Sequence, residues 1–234
     1  GATGKAGLYC DIENGGWYLP RGTAPSTHIF KQSHVRLENI VINEQLALMA
    51  AHNCGIPAVN SSIFNLGSGK DGEVLFATTR YDRVISHDSD RIDGMLRPLR
   101  LHQEDFSQAL GISSAEKYEK EPRGYLRRMF EVLRRYSADP VQDQLRLWDM
   151  LIFNYLIGNT DCHIKNFSLL YSPNLKSVRL APAYDLLSTA VYSQSTREMP
   201  FFIGNKLSLD EIDRDSFKEA AHEIGLGGKM AMRH

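Results

Sequence analysis

Hydrophobic and polar positions change rhythm about a third of the way along the chain. Apolar residues first come in short alternating or continuous runs at residues 6–11, 17–19 and 27–31. Turn chemistry separates them, Glu13-Asn14-Gly15-Gly16 and then Pro20-Arg21-Gly22. This pattern predicts a small antiparallel sheet. Residues 39–53 then carry Ile42, Leu46, Met49 and Ala50 at the spacing of one helical face and end at Gly55 and Pro57. Strands are predicted again at 58–64 and 73–79, joined by the glycine-rich stretch from Gly67 to Gly72. After about Tyr81 the pattern turns helical. Helices are predicted at 124–136 and 141–157, the second with Leu145, Trp148, Leu151, Ile152 and Tyr155 as a core-facing stripe. A polar loop at 158–166 leads into a strand pair at 167–171 and 177–180, and a last helix is predicted at 216–224. The expectation is an α+β chain in two lobes: a β-rich lobe over residues 1–81 and a larger helical lobe over 82–234.

Composition narrows the function classes. The 234 residues are 42% hydrophobic and 24% charged with a net charge of −1, the profile of a globular chain. The charge balance argues against a nucleic-acid-coating surface. No apolar run approaches the roughly 20 residues of a membrane helix, and no apolar signal core opens the chain, so a cytoplasmic location is expected. The three cysteines form no Cys-x-x-Cys pair, and the histidines form no His-x-x-x-His or His-Glu-x-x-His pattern, which argues against a zinc site. A Gly-x-Ser-x-Gly elbow is missing as well.

The densest polar cluster runs from Gly158 to Asn166. Asn166 follows Asp161 by five positions, the spacing of a kinase catalytic loop, in which the aspartate orients the acceptor hydroxyl and the asparagine holds a metal ion. Asp185, beyond the predicted hairpin, can return to the same cleft as a second metal-binding carboxylate. Such hard oxygen ligands suit Mg²⁺ on nucleotide phosphates. The competing reading is turn-shaping by Asp and Asn. Lys31, at the end of a predicted strand, is a candidate phosphate ligand with Glu44 of the following helix as its partner. A solvated lysine and an ordinary helix glutamate are the alternative. Gly1 and Gly4, in Gly1-Ala2-Thr3-Gly4-Lys5, are candidates for the end of a phosphate-covering loop, though the stretch is not a Walker A motif; an ordinary surface turn is the simpler account.

Taken together, Thr27-His28-Ile29-Phe30-Lys31, Arg80-Tyr81-Asp82-Arg83, Gln103-Glu104-Asp105, Lys117-Tyr118, the run from Leu156 to Ser168, and Ala183-Tyr184-Asp185 resemble the HipA-like serine/threonine kinases of bacterial toxin–antitoxin systems. The motifs follow one another in register over nearly the whole chain. The resemblance implies a bilobal protein-kinase-like fold that uses ATP and Mg²⁺ to phosphorylate a protein, in family members an aminoacyl-tRNA synthetase. It also implies restraint by a HipB-like antitoxin, contact with DNA only through that antitoxin, and no membrane. Carried over by position, Asp161 is the catalytic aspartate, Asn166 and Asp185 are metal ligands, and Lys31 binds phosphates with Glu44 behind it. The stretch from Thr78 to Tyr81 forms the adenine hinge, with Thr79, Arg80 and Tyr81 in the nucleotide-binding set and Thr79 where a relative has an acidic residue, and Lys165 joins that set. The family's glycine-rich loop, with its regulatory serine, is expected at or just before Gly1, which reads the chain as a trimmed or split member. Two alternatives remain: a catalytically silent kinase-like module that binds an antitoxin or target, and a small-molecule or lipid kinase.

Overall fold

The computed structural model describes residues 4–33 and 37–231. Its first part is an antiparallel five-stranded sheet in the order β2-β1-β3-β5-β4. The strands are β1 (Lys5–Cys10), β2 (Trp17–Tyr18), β3 (His28–Gln32), β4 (Ser61–Asn65) and β5 (Val74–Thr79). One helix, α1 (Ile40–Asn53), crosses between β3 and β4. Phe76 on β5 is fully buried, as are Val41, Leu48 and Ala51 on α1, so the helix and sheet share one apolar layer.

The face that α1 buries is not the one its apolar spacing predicts. Leu46 and Met49 are 60% and 50% exposed, whereas Glu44 is 5% exposed beside Val41, Ala47 and Leu48. The buried face is a second apolar row, Val41, Leu48 and Ala51, and Glu44 lies within it, turned to a buried lysine.

The region after Tyr81 also departs from the expected helix. Residues 83–105 form short strands: β6 (Arg83–Val84), β7 (Arg91–Ile92), β8 (Met95–Leu96), β9 (Leu99–Arg100) and β10 (Gln103–Asp105). The first four pair as two ribbons, β6 with β9 and β7 with β8. Strand β10 leads into the short α2 (Phe106–Ala109), which is closed by a capping box between Asp105 and Gln108.

The helical part is built on α3 (Tyr125–Tyr136) and α4 (Pro140–Leu156). Asp139 caps α4 and Pro140 occupies its first turn. Trp148 and Leu151 are buried as the stripe predicts, while Leu147, Met150 and Phe153 complete a core that is wider than that stripe. Beyond α4 lie β11 (Ser168–Tyr171) and β12 (Val178–Leu180), which with β10 form a three-stranded sheet. A second hairpin, β13 (Glu198–Ile203) with β14 (Lys206–Ser208), was not foreseen from the pattern. It precedes α5 (Arg214–Glu223) and α6 (Gly228–Ala231). Among the described residues no helix is long and apolar enough to cross a membrane.

Candidate active site

The loop that carries Asp161 is fixed from both sides. Helix α4 ends at Leu156, and Gly158 takes a left-handed backbone (φ 66°) where an added Cβ would lie 2.7 Å from the Ala190 side chain. Only glycine lets the chain turn so closely against the 186–197 segment. Asn159 is fully buried; its amide nitrogen donates to Asn154 Oδ1 (2.7 Å), and its Oδ1 accepts the Asp161 N–H (3.2 Å). Thr160 is tied to Thr189 Oγ1 through its N–H (2.6 Å) and hydroxyl (2.7 Å). Asn166 Nδ2 donates to the Asp161 carbonyl (2.9 Å), so the five-residue spacing closes one compact loop. The Asp161 side chain stays half exposed.

Lys31 lies opposite, on β3. Its side chain is 7% exposed, and its ammonium donates to both Glu44 carboxylate oxygens, at 2.7 and 2.9 Å, and to Asp185 Oδ1. Burial works against the charged lysine, but the two carboxylates outweigh it and hold its pKa above the ordinary value. Asp185 also resists burial, chiefly through Lys31, and its carboxyl is held below the usual range. Glu44 is different: burial dominates, Lys31 opposes it only in part, and its pKa is raised to about 7. Asp185 adopts a left-handed backbone, φ 52°, a conformation aspartate tolerates better than most residues.

Two adjoining cavities meet at this cluster, of about 240 and 750 Å³. Lys5, Lys31, Glu44, Lys165, Tyr184 and Asp185 line both. Thr79, Arg80 and Tyr81 line the smaller, and Asp161 and Asn166 the larger. Every candidate within the described residues except Gly4 is thus gathered at one cleft. Gly4 is exposed ahead of β1, and Lys5, its neighbour, reaches the cleft instead. Gly1 lies outside the described residues.

The residues expected at the hinge are partly committed. The N–H groups of Thr79 and Arg80 donate to the carbonyls of Asn60 (2.9 Å) and Thr27 (2.8 Å). Arg80 is further held by Asp82, at 2.9 Å. The Tyr81 ring stacks on Tyr184 at 5.4 Å, a flat wall suited to an aromatic base. Lys165 pairs with Asp105 at 2.6 Å, so β10, unforeseen as a strand, carries a residue of the cleft. Lys5, Tyr118, Asp105 and the Tyr81–Tyr184 stack are site features that residue chemistry alone missed. Asp105, Tyr118 and Tyr184 were visible only as members of the quoted motifs.

Asn166 and Asp185 offer an amide and an ionised carboxylate to the larger cavity, a hard oxygen set that fits Mg²⁺. Among the described residues no group of three His, Cys, Asp or Glu side chains gathers to hold a metal. The fit is therefore to an ion that takes few protein ligands and completes its shell with phosphate and water.

A family model described as the HipA-like C-terminal domain matches residues 1–234. The chain is 36% identical over 215 residues to a Sinorhizobium fredii protein named "Putative kinase Y4mE", covering 92% of this chain and 48% of that one. It is 31% identical over 220 residues to the serine/threonine-protein kinase toxin HipA of Shewanella oneidensis, covering 88% of this chain and 46% of the toxin. The chain therefore spans about half the length of these relatives. Among solved structures, the Shewanella oneidensis HipA, HipB and operator DNA complex matches with a TM-score of 0.83 at 26% identity, over all of this chain and 53% of the matched one. The Helicobacter pylori proinflammatory kinase CtkA matches with a TM-score of 0.54 at 16% identity, over 84% of this chain and 73% of that one. That second likeness shows the kinase-like fold alone.

Proposed function

The chain belongs to the HipA-like C-terminal domain family, and from that membership and the cleft we propose that it is the ATP- and Mg²⁺-dependent phosphotransfer core of a HipA-type serine/threonine protein kinase. The observation that carries the reading is Lys31, held between Glu44 and Asp185 in a cleft whose far side is the Asp161–Asn166 loop. A free lysine on a strand would signify little. One that is buried, ionised and shared by two carboxylates is a cation preset for phosphate.

In this reading the base rests against Tyr81 and Tyr184, with the hinge at residues 79–81 beside it. Lys31 and Lys5 face the phosphates, and Glu44 keeps Lys31 extended. Lys165, held by Asp105, lies near the transferred group. Asn166 and Asp185 would hold Mg²⁺, which when bound neutralises phosphate charge. Asp161 orients the acceptor hydroxyl and takes its proton. Catalysis is then mostly positioning and electrostatics. The acceptor is a serine or threonine of a protein, with a translation component such as an aminoacyl-tRNA synthetase as the class the family suggests. A HipB-like antitoxin is the proposed partner, supported by the likeness to HipA in its complex with HipB and operator DNA.

The test is phosphate transfer from labelled ATP with Mg²⁺, to the chain itself, to a mixed protein fraction and to a metabolite pool. Wild type is expected to label protein, and Asp161→Asn to lose labelling while keeping its circular dichroism and its MgATP-induced thermal shift. Label in metabolites alone would move the assignment to a small-molecule kinase. MgATP binding without turnover would make the chain a binding module. An Asp161→Asn variant as active as wild type would overturn the catalytic assignment.

A further inference from the structure

Tyr118 has no part in the assignment above, yet its hydroxyl donates to Asp161 Oδ1. Its place is built. The adjoining Glu119 is 3% exposed, and its Oε1 accepts the N–H groups of Arg123 (2.7 Å) and Tyr125 (3.1 Å). Its Oε2 accepts that of Phe202 (3.1 Å), and its own N–H donates to the Pro200 carbonyl (2.7 Å). Residue 119 is thereby tied at once to the start of α3 and to β13, and Tyr118 projects from a fixed point. The Tyr118 ring meets His163 edge-on at 5.3 Å, and Lys117 Nζ lies 4.9 Å from its centroid.

Asp161 needs such a partner. Its backbone is held by Asn159, Asn166 and the His163 N–H, but that leaves the half-exposed carboxylate free to rotate about two torsions. His163 is the other group near the same oxygen, at 4.0 Å, beyond hydrogen-bond reach. Burial also keeps the His163 pKa low. A hydrogen bond to a charged group biases a side-chain equilibrium by ~10–100-fold.

We propose that Tyr118 is a positioning residue: its hydroxyl pins one carboxylate oxygen of Asp161 and leaves the other to receive the acceptor hydroxyl. The inference rests on the kinase reading and deepens it. Burial and the Asp161 charge both hold the Tyr118 hydroxyl in its protonated, donating form.

The test uses the full chain with MgATP and water as acceptor, followed by phosphate release. Tyr118→Phe is expected to lower kcat about tenfold or more while the KM for ATP stays within twofold and the MgATP thermal shift persists. In an Asp161→Asn background the same change should have no further effect. Loss of ATP binding together with turnover would reveal a merely structural tyrosine, and a rise in kcat would reveal an obstruction; either overturns the proposal, as does an unchanged kcat. If wild type releases no phosphate to water, the kinase reading is judged separately by protein labelling, and ¹³Cζ-tyrosine NMR decides the contact. The Tyr118 titration midpoint should fall in Asp161→Asn; an unmoved midpoint overturns the pinning.

Discussion

Replacing Glu44 by glutamine separates two views of the Lys31 cluster. In one, the lysine fully compensates the buried glutamate; in the other, burial and the Asp185 charge outweigh it. The structure favours the second, because a single ammonium serves both carboxylates and Glu44 is the more enclosed. Its pKa is raised from 4.5 to about 7. A group with a raised folded-state pKa contributes stability that is present below its unfolded value and lost as pH climbs through the folded one. For Glu44 that window runs from about pH 4.5 to just above 7, and the stability lost across it is about 3 kcal/mol. Glutamine keeps the shape and accepts a hydrogen bond from Lys31 but cannot ionise. Urea unfolding of both proteins at fixed ionic strength from pH 4.5 to 8.5 gives the test. The stability of Glu44→Gln minus that of wild type should rise by about 3 kcal/mol across the window. Asp185 and Lys31 titrate outside it and largely cancel in the difference. A flat or falling difference would show that Glu44 stays ionised throughout, and would refute the reasoning.

Two further outcomes follow from burial. Asp143 is fully buried and accepts from Ser137 (2.6 Å), Arg179 (2.9 and 3.1 Å), Arg146 (3.2 Å) and the Leu180 N–H (2.9 Å). Asp143→Ala should therefore cost about 3–5 kcal/mol in chemical denaturation. Its folded pKa lies below 3.8, so the carboxylate's contribution is complete above about 3.8 and is lost as pH falls through the lower folded value. Leu46→Lys, by contrast, should change stability by no more than about 0.5 kcal/mol despite replacing an apolar residue, because Leu46 is 60% exposed; a loss above 2 kcal/mol would mean that α1 packs on the face its periodicity suggests.

Where one periodicity ran through a whole element, the sequence was readable. α3 and α4 lie close to their expected spans because apolar spacing, Asp139, Pro140 and Gly158 agree on where α4 starts and stops. Strands β6 to β9 were lost to view because two-residue strands have no period, even though β7 pairs with β8 across a short turn. β13 was hidden by Pro200, which ordinarily argues against a strand; it sits where the β13–β14 register shifts between Glu198 and Ile203. α1 failed for a different reason. Hydrophobic spacing treats Glu44 as surface, while the fold buries it against Lys31, so the failure of local pattern itself marked the candidate site. Tyr118 carries no local signal of its role, since its partner lies 43 positions away.

Lys31 and Asp185 are 154 positions apart, so their meeting depends on how the sheet and the helical part are joined. Two backbone hydrogen bonds make that join two residues before Asp185: the Ala183 N–H donates to the Pro57 carbonyl (2.9 Å), and the Ala183 carbonyl accepts the Val59 N–H (2.9 Å). Three residues after Asp185, Ser188 forms a two-bond clasp with the Asn43 amide on α1, each bond at 2.8 Å. The clasp falls one residue before Glu44. The left-handed turn at Asp185 is thus bracketed by contacts to the element that carries Glu44 and to the strand approach beside β5. Backbone strain of this kind persists only where the surroundings over-determine it, and here the bracketing contacts also set the separation of Lys31, Glu44 and Asp185. Any opening of the cleft at residues 79–82 must either carry these contacts along as a unit or break them. The Lys31 cluster is therefore held by the same contacts that join the sheet and α1 to the helical part.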